Sequence, residues 1–319
     1  MKGFVIGLIV AGAVILTAGA ALAVIGYKNG QGVKVETKEY TDLETFNKFD
    51  IDLTIAEFEL KPSEDSTTKV VVDETRYDQH TVSVVDNTLT VKGINNRKWY
   101  EYVLTWSFFH KLKVTVYAPE GNYEEFKAHS HTGSIIVPAN YTFDTFTASA
   151  STGSIRSSAK VNNELVAKCS TGSVNLDGVD AKSMELKTST GSINVKNSNV
   201  TELITAKSST GTIRLENVNA KNLKTNVSSG STKLTNVLVE EHIESKASSG
   251  SIRMDACDAD TLFVKASSGS INLKLLTSKI FYASSSTGSV HVPQSTTGGV
   301  CEIHTSTGKI VAEIASQND

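Results

Sequence analysis

Proline is scarce in this chain, and cysteine is scarcer. Four prolines and 22 glycines in 319 residues exclude a collagenous or proline-rich chain. The three cysteines, Cys169, Cys257 and Cys301, stand far apart with no Cys-x-x-Cys pair. An odd count at that spacing fits neither a disulfide framework nor a zinc site. An excess of one charge is also missing. With 31 Lys and Arg against 34 Asp and Glu, the net charge is −3, without the basic surplus that marks a nucleic-acid binder. Neither a G-x-S-x-G nucleophile elbow nor a phosphate-binding GxxxxGK[ST] loop occurs. No cofactor and no nucleic-acid partner are expected. Strong helix signals are few. Beyond the N-terminus Ser, Thr, Asn, Val and Ile dominate, a composition that favours strands and turns. Hydrophobic content of 39% is enough for a packed core.

Long apolar runs are absent except for one. Phe4 to Ile25 is continuously apolar or small, with Lys2 before it and Tyr27 and Lys28 after it. At about 1.5 Å per residue it would extend about 33 Å as a helix, enough to cross a bilayer core. Residues 1–30 are therefore expected to be an N-terminal transmembrane anchor, with contact to the membrane through residues 4–25. The competing reading is a cleaved signal peptide, for which Ala21-Leu22-Ala23 would be the processing site. Lys2 argues for a cytoplasmic N-terminus, while Lys28, Lys34 and Lys38 beyond the span weaken that charge bias.

What the sequence does contain is a repeat. A Ser/Thr-Ser/Thr-Gly triplet, with His131 in the first place of the earliest copy, recurs with its glycine at Gly133, Gly153, Gly172, Gly191, Gly211, Gly230, Gly250, Gly269, Gly288 and Gly308, and every spacing is 19 or 20. A fixed period of this length means stacked units. Two residues after the glycine stand Ile135, Ile155, Val174, Ile193, Ile213, Thr232, Ile252, Ile271, Val290 and Ile310. Apolar residues mostly follow again at four after, and polar ones fill the position between. Seven residues before the glycine stand Phe126, Phe146, Leu165, Met184, Ile204, Leu223, Ile243, Leu262, Phe281 and Cys301. This period-2 alternation on both sides of a corner describes two strands, each with one buried face. One such unit cannot bury its apolar face alone, but a stack shares a continuous core. The expected fold is all-β: a β-solenoid of about ten coils, about 45 Å long at the 4.8 Å strand spacing. Glycine tolerates the unusual φ/ψ of a sharp corner. The flanking Ser and Thr are expected to bond their own backbone or the hydroxyl one coil away.

The repeat places the solenoid domain at 128–319 and leaves 31–127 as a β-rich N-terminal capping module. FDIDLTIAEFEL, TKVVVDE, HTVSVVDNTLTVKG and HKLKVTVYAPEG read as its strands, with Asp86-Asn87 as a hairpin turn. Tyr100, Tyr102 and Trp106 would share one face of a further strand. That face either packs as a cap on the first coil or forms an aromatic platform for sugar rings. At the other end, Lys309 is expected to blunt an open edge strand.

Catalytic constellations do not stand out, and no carboxylate pair recurs. His129 and His131 would share a strand face, but with no carboxylate or cysteine near them in sequence no metal site is expected. Lys168, Lys187, Lys207, Lys246 and Lys265 all lie four before a corner glycine and would form a partial basic stripe. Arg156, Arg214, Lys233 and Arg253 would form another on a different face. Such lysines either keep the sheet soluble or dock an anionic polymer. The solenoid part carries 17 basic and 16 acidic residues, so any attraction would be local. Glu185 with Lys187 and Glu244 with Lys246 are expected to pair along their strands. The three cysteines fall at inward positions as small buried hydrophobes, and Thr232 is expected to be tolerated inside through a backbone bond.

With these motifs in hand, the chain resembles a bacterial family of candidate adhesins without assigned function. The resemblance runs from about residue 46 to the end and rests on FNKFDIDLTIAEFEL, NTLTVKG, KVTVYAP and the serial STGSI copies. It implies a membrane-anchored envelope protein without catalytic residues. Adhesion or scaffolding, with an anionic or glycan envelope polymer as partner, is the first expectation. An accessory role in an envelope-stress response through a membrane protein is the second, and a carbohydrate-active enzyme is the third. The oligomeric state is left open.

Overall fold

The computed structural model describes residues 34–96 and 112–315, and nearly all of them lie in or between strands. The first strands are β1 (Glu36–Tyr40), β2 (Lys48–Leu53), β3 (Ala56–Pro62), β4 (Lys69–Glu74), β5 (Asp78–Val85), β6 (Thr88–Asn95) and β7 (Leu112–Ala118). The repeat begins with β8 (Gly121–Thr132) and β9 (Ile135–Val137), and continues through β10 (Tyr141–Thr152), β11 (Ile155–Ser157), β12 (Lys160–Thr171), β13 (Val174–Asp177) and β14 (Ala181–Thr190). In β15 (Ile193–Ser249) the extended chain passes through successive corners without a break. The last strands are β16 (Ile252–Cys257), β17 (Thr261–Ser268), β18 (Ile271–Leu275), β19 (Lys279–Thr287), β20 (Val290–His291), β21 (Gly299–Thr307) and β22 (Ile310–Ile314).

The expected coil is present. Each consists of a longer strand, the glycine corner, a shorter strand and a return, and successive coils pair in parallel. Phe126 faces Phe146, which faces Leu165, then Met184 and Ile204. Across the corner, Ile135, Ile155, Val174 and Ile193 stack in the same way. Both columns are almost fully buried, because alternate residues of these strands turn to the one shared core. Thr232 is an exception to its expectation: its buried hydroxyl has no hydrogen-bond partner among the described residues.

The corner glycines are required twice over. All ten have φ between 135° and 149°, where a Cβ is strained. A Cβ would also fall 1.5–2.2 Å from the corner carbonyl oxygen of the adjacent coil. Ser231 and Ser251, each directly after a corner glycine, share a hydrogen bond at 3.2 Å as expected, but most of the hydroxyls that serve the corner are others. Thr188 and Ser208 both donate to the Gly191 carbonyl, at 3.2 and 3.3 Å. Thr305 donates to Gly269 and Ser285 to Gly308, at 3.1 and 3.0 Å. These side chains stand three residues before a glycine and point inward. The Ser and Thr immediately before the glycine are mostly exposed.

A second corner lies six residues after the glycine, where Gly178, Asn197, Asn217, Asn236 and Ala256 take positive φ. Asn tolerates this conformation better than most residues. Here it also builds a ladder: Asn197 donates to Asp177, Asn217 to Asn197 and Asn236 to Asn217, at 2.8–3.0 Å.

The stacking order departs from chain order at both ends. Strand β2 pairs in parallel with both β6 and β8, so that Phe49 lies between Leu89 and Phe126. Strand β3 likewise lies between β7 and β9. Residues 48–62 therefore form a coil of their own, as do β6 and β7, and the expected division at 127/128 falls inside β8. Antiparallel strands finish this end, with β5 on β6, β4 on β7 and β1 on β4. The hairpin turn at Asp86-Asn87 is confirmed, both residues having positive φ of 50° and 57° as a type I′ turn requires.

At the C-terminal end β21 pairs with both β17 and β19, and β22 with both β18 and β20. The last coil is threaded between its two predecessors. Lys309 is thus not on an open edge: its carbonyl accepts from Ile271 of the neighbouring coil at 2.9 Å. The edge coil is 279–291, blunted by a two-residue β20 and followed by Pro293, devices that discourage edge pairing. The expected anchor at 4–25 lies outside the described residues, and among those described no helix is long and apolar enough to cross a membrane.

Candidate functional site

The outward face of the longer strands carries the expected lysine stripe. Lys168 stands opposite Lys187 and Lys187 opposite Lys207. Asn226 occupies the same position of the next coil and breaks the run. Lys246 and Lys265 are again opposite each other, and His304 follows Lys265. Parallel pairing thus brings like charges to about 4.8 Å strand spacing, an arrangement that destabilises a sheet unless something compensates.

Compensation is uneven. Glu185 pairs with Lys168 of the preceding coil at 3.0 Å, rather than with Lys187 of its own strand. Glu244 pairs with Lys246 as expected, and the same ammonium lies 5.3 Å from the Phe263 ring centroid. Lys187, Lys207 and Lys265 have no ion-pair partner among the described residues. Beside the stripe run the exposed hydroxyl columns of the triplet: Ser170, Ser189, Ser209, Ser248 and Ser267 in one, and Thr171, Thr190, Thr210, Ser249 and Ser268 in the next. The surface therefore offers cations and hydroxyl donors at one-coil intervals.

The second basic stripe is present; among the described residues Arg214 is its one member with a side-chain partner, and Lys233 stands opposite Arg253 on the adjacent rung. Arg214 donates to Asn194 at 3.0 Å, and Asn194 donates to Asn175 at 2.8 Å. Arg156, Asn175, Asn194 and Lys196 line an open groove of about 350 Å³ beside Ile136 and Pro138. The asparagine ladder at the second corner was not anticipated from the sequence. Its signal was Asn recurring six after the glycine at 197, 217 and 236. Tyr100, Tyr102 and Trp106 lie outside the described residues. Cys169, Cys257 and Cys301 are buried and free. Burial pushes the thiols of Cys169 and Cys257 up to about 11 and that of Cys301 to about 12, which suppresses the reactive thiolate.

Comparison with known proteins agrees with this architecture. A candidate adhesin from Parabacteroides merdae ATCC 43184 has a similar fold, with a TM-score of 0.53 and 18% identity over 78% of this chain and 98% of that one. A candidate adhesin from Parabacteroides distasonis ATCC 8503 aligns with a TM-score of 0.49 and 16% identity, over 76% of this chain and 97% of that one. A candidate lipid-binding protein from the same organism gives 0.47 and 14%, over 88% and 98%. No curated protein matches the chain. The Toastrack DUF4097 family model matches residues 46–205 and again 198–319, and the chain belongs to that family.

Proposed function

We propose that this protein is a non-catalytic adhesin or scaffold of the cell envelope. In this reading residues 4–25 anchor it in the cytoplasmic membrane and the solenoid stands on the outer side. The ligand is a polyanionic envelope polymer laid along the outward face of the longer strands. The observation that carries the reading is the pair Lys187 and Lys207. They stand on adjacent rungs with no carboxylate partner among the described residues, although like charges so placed oppose folding. A polymer with regularly spaced phosphates or carboxylates would neutralise them, and the adjoining hydroxyl columns would donate to its oxygens. Family membership and the fold of the Parabacteroides merdae protein lend support.

The test is binding of purified teichoic acid to the full chain in detergent, measured across a salt series. Replacing Lys187, Lys207 and Lys246 together by Gln should weaken binding at least about tenfold, equivalent to about 1.4 kcal/mol, and flatten the salt dependence. Undiminished binding would sink the stripe. The side of the membrane is tested separately with Ser316→Cys and a membrane-impermeant maleimide on intact cells. The buried native thiols keep the background low. Labelling only after lysis would overturn the extracytoplasmic placement.

A further inference from the structure

The same outward column that carries the lysines ends differently at the N-terminal end. Four residues before Gly133 stands His129, and His131 follows it on the same face of β8. The out-of-order coil sets Asp52 of β2 directly opposite His129. One ligand atom from each of Asp52, His129 and His131 can be chosen so that all lie within 4.8 Å of one another. The two rings are 4.7 Å apart between centroids and meet edge to face. Asp52 has no ion-pair partner among the described residues.

We infer that Asp52, His129 and His131 form a binding site for a borderline divalent transition-metal ion of the zinc class. Two imidazoles and a carboxylate suit such an ion better than calcium or magnesium, which take oxygen ligands. Ligand distances of about 2.0–2.1 Å place donor atoms about 3.4 Å apart in a tetrahedral site. Asp52 and His131 are exposed and His129 is half-buried, so side-chain rotation on a fixed sheet closes the remaining gap. The site has an orienting neighbour. Ser149 Oγ lies 2.7 Å from His129 Nδ1. When Nδ1–H donates to that hydroxyl, Nε2 is left for the ion, the arrangement by which outer groups fix a metal-ligating histidine. Lys92, opposite Asp52 on β6, and Lys127, on the same face of β8, flank the site. Affinity therefore rests on the donor atoms rather than on local charge. Because Asp52 comes from the inserted coil and the histidines from the first repeat coil, the ion ties the two together across the seam.

The test uses the full, untagged chain in detergent, with Zn²⁺ alone as the probe and a chromophoric chelator as competitor. One ion per chain should bind. His129→Ala and His131→Ala should each weaken binding at least tenfold, and Asp52→Asn should weaken it as well. His242→Ala, an outward histidine far along the stack, should leave binding unchanged. Zn²⁺ should raise the thermal midpoint of the native chain but not of His129→Ala, and the metal-free midpoints of the two should agree closely enough to exclude misfolding. Co²⁺ in place of Zn²⁺ should give visible bands of a nitrogen-ligated, low-symmetry site. No binding, binding retained in both histidine variants, or an equal loss in His242→Ala would overturn the inference.

Discussion

At the N-terminal end the coil 48–62 lies between the strands β6 and β7 on one side and the coil 121–137 on the other. At the C-terminal end the coil 299–314 lies between those made by 261–275 and 279–291. Both ends thus use the same device: a coil inserted out of chain order, held by parallel pairing on both edges. They are finished with different materials. The N-terminal seam is packed with rings. Phe126 lies 5.7 Å from Phe49, 5.8 Å from Phe58, 5.2 Å from Phe143 and 4.7 Å from Phe146, and antiparallel strands cover the outermost coil. The C-terminal seam has small residues instead. A Cβ on Gly299 would meet the Asp260 carbonyl oxygen at 1.7 Å, and one on Gly298 the Ser278 oxygen at 1.8 Å. None of the described residues covers its outermost coil, where Tyr282 is 58% exposed. One end is secured by apolar volume and the other by close backbone approach.

The largest effect is expected where volume does the securing. Phe126→Ala empties a fully buried site and should cost about 4 kcal/mol, read as a lower urea midpoint. Three coils meet at this ring, so amide exchange should accelerate together across residues 48–62 and 121–157. Gly299→Ala should cost about 3 kcal/mol by forcing backbone apart. Contacts in a solenoid are between neighbours, so its damage should be confined, with exchange faster in 261–314 and unchanged in 121–176. If Gly299→Ala instead lowered one transition shared by the whole chain, the two ends would not be independent units and the contrast would fail.

The sequence made the coil legible because every coil solves the same local problem. Inward columns at two after and seven before the glycine, and the corner itself, follow from period-2 alternation and one unusual φ. Coil order was not legible for the same reason: ten equivalent corners fit on one another in any order, so the pattern holds no address. The hints were indirect. FDIDLTIAEFEL alternates on both sides of Thr54-Ile55, a coil without the glycine, and Gly298-Gly299 marks where the chain threads between two others. The pairing of Glu185 with Lys168 escaped because it is diagonal: Glu185 stands opposite Val166 and reaches the lysine two residues further along the preceding coil, a register that the sequence of one coil does not state. Asp52 was missed as a neighbour of His129 and His131 because only the inserted coil brings them together. The stripe of five lysines was visible, but which of them lacked partners was not.

The smallest effect separates the two ends by pH. His80 lies under the antiparallel cap, its side chain 3% exposed and its Nδ1 3.8 Å from Glu74 Oε1. Its Nδ1 has no hydrogen-bond partner among the described residues. Lys38 holds the other Glu74 oxygen at 2.6 Å. Burial holds the imidazole below its ordinary range, and the opposing pull of Glu74, Asp78 and Asp73 does not offset it. The folded cap therefore keeps His80 neutral at a pH where the unfolded chain would bind a proton. Stability should be full above about pH 6.5 and fall as the pH drops below it, by at most about 1.4 kcal/mol per pH unit for one proton, until the folded pKa is reached. Amide exchange at pH 7.5 and 5.5, corrected for intrinsic rates, should show the loss in β4 and β5 and not in β17 or β21. In His80→Gln the additional loss in the cap should disappear. An equal loss with and without the imidazole would mean that carboxylates, spread along the whole stack, set the acid response, and that the two ends do not differ in this respect.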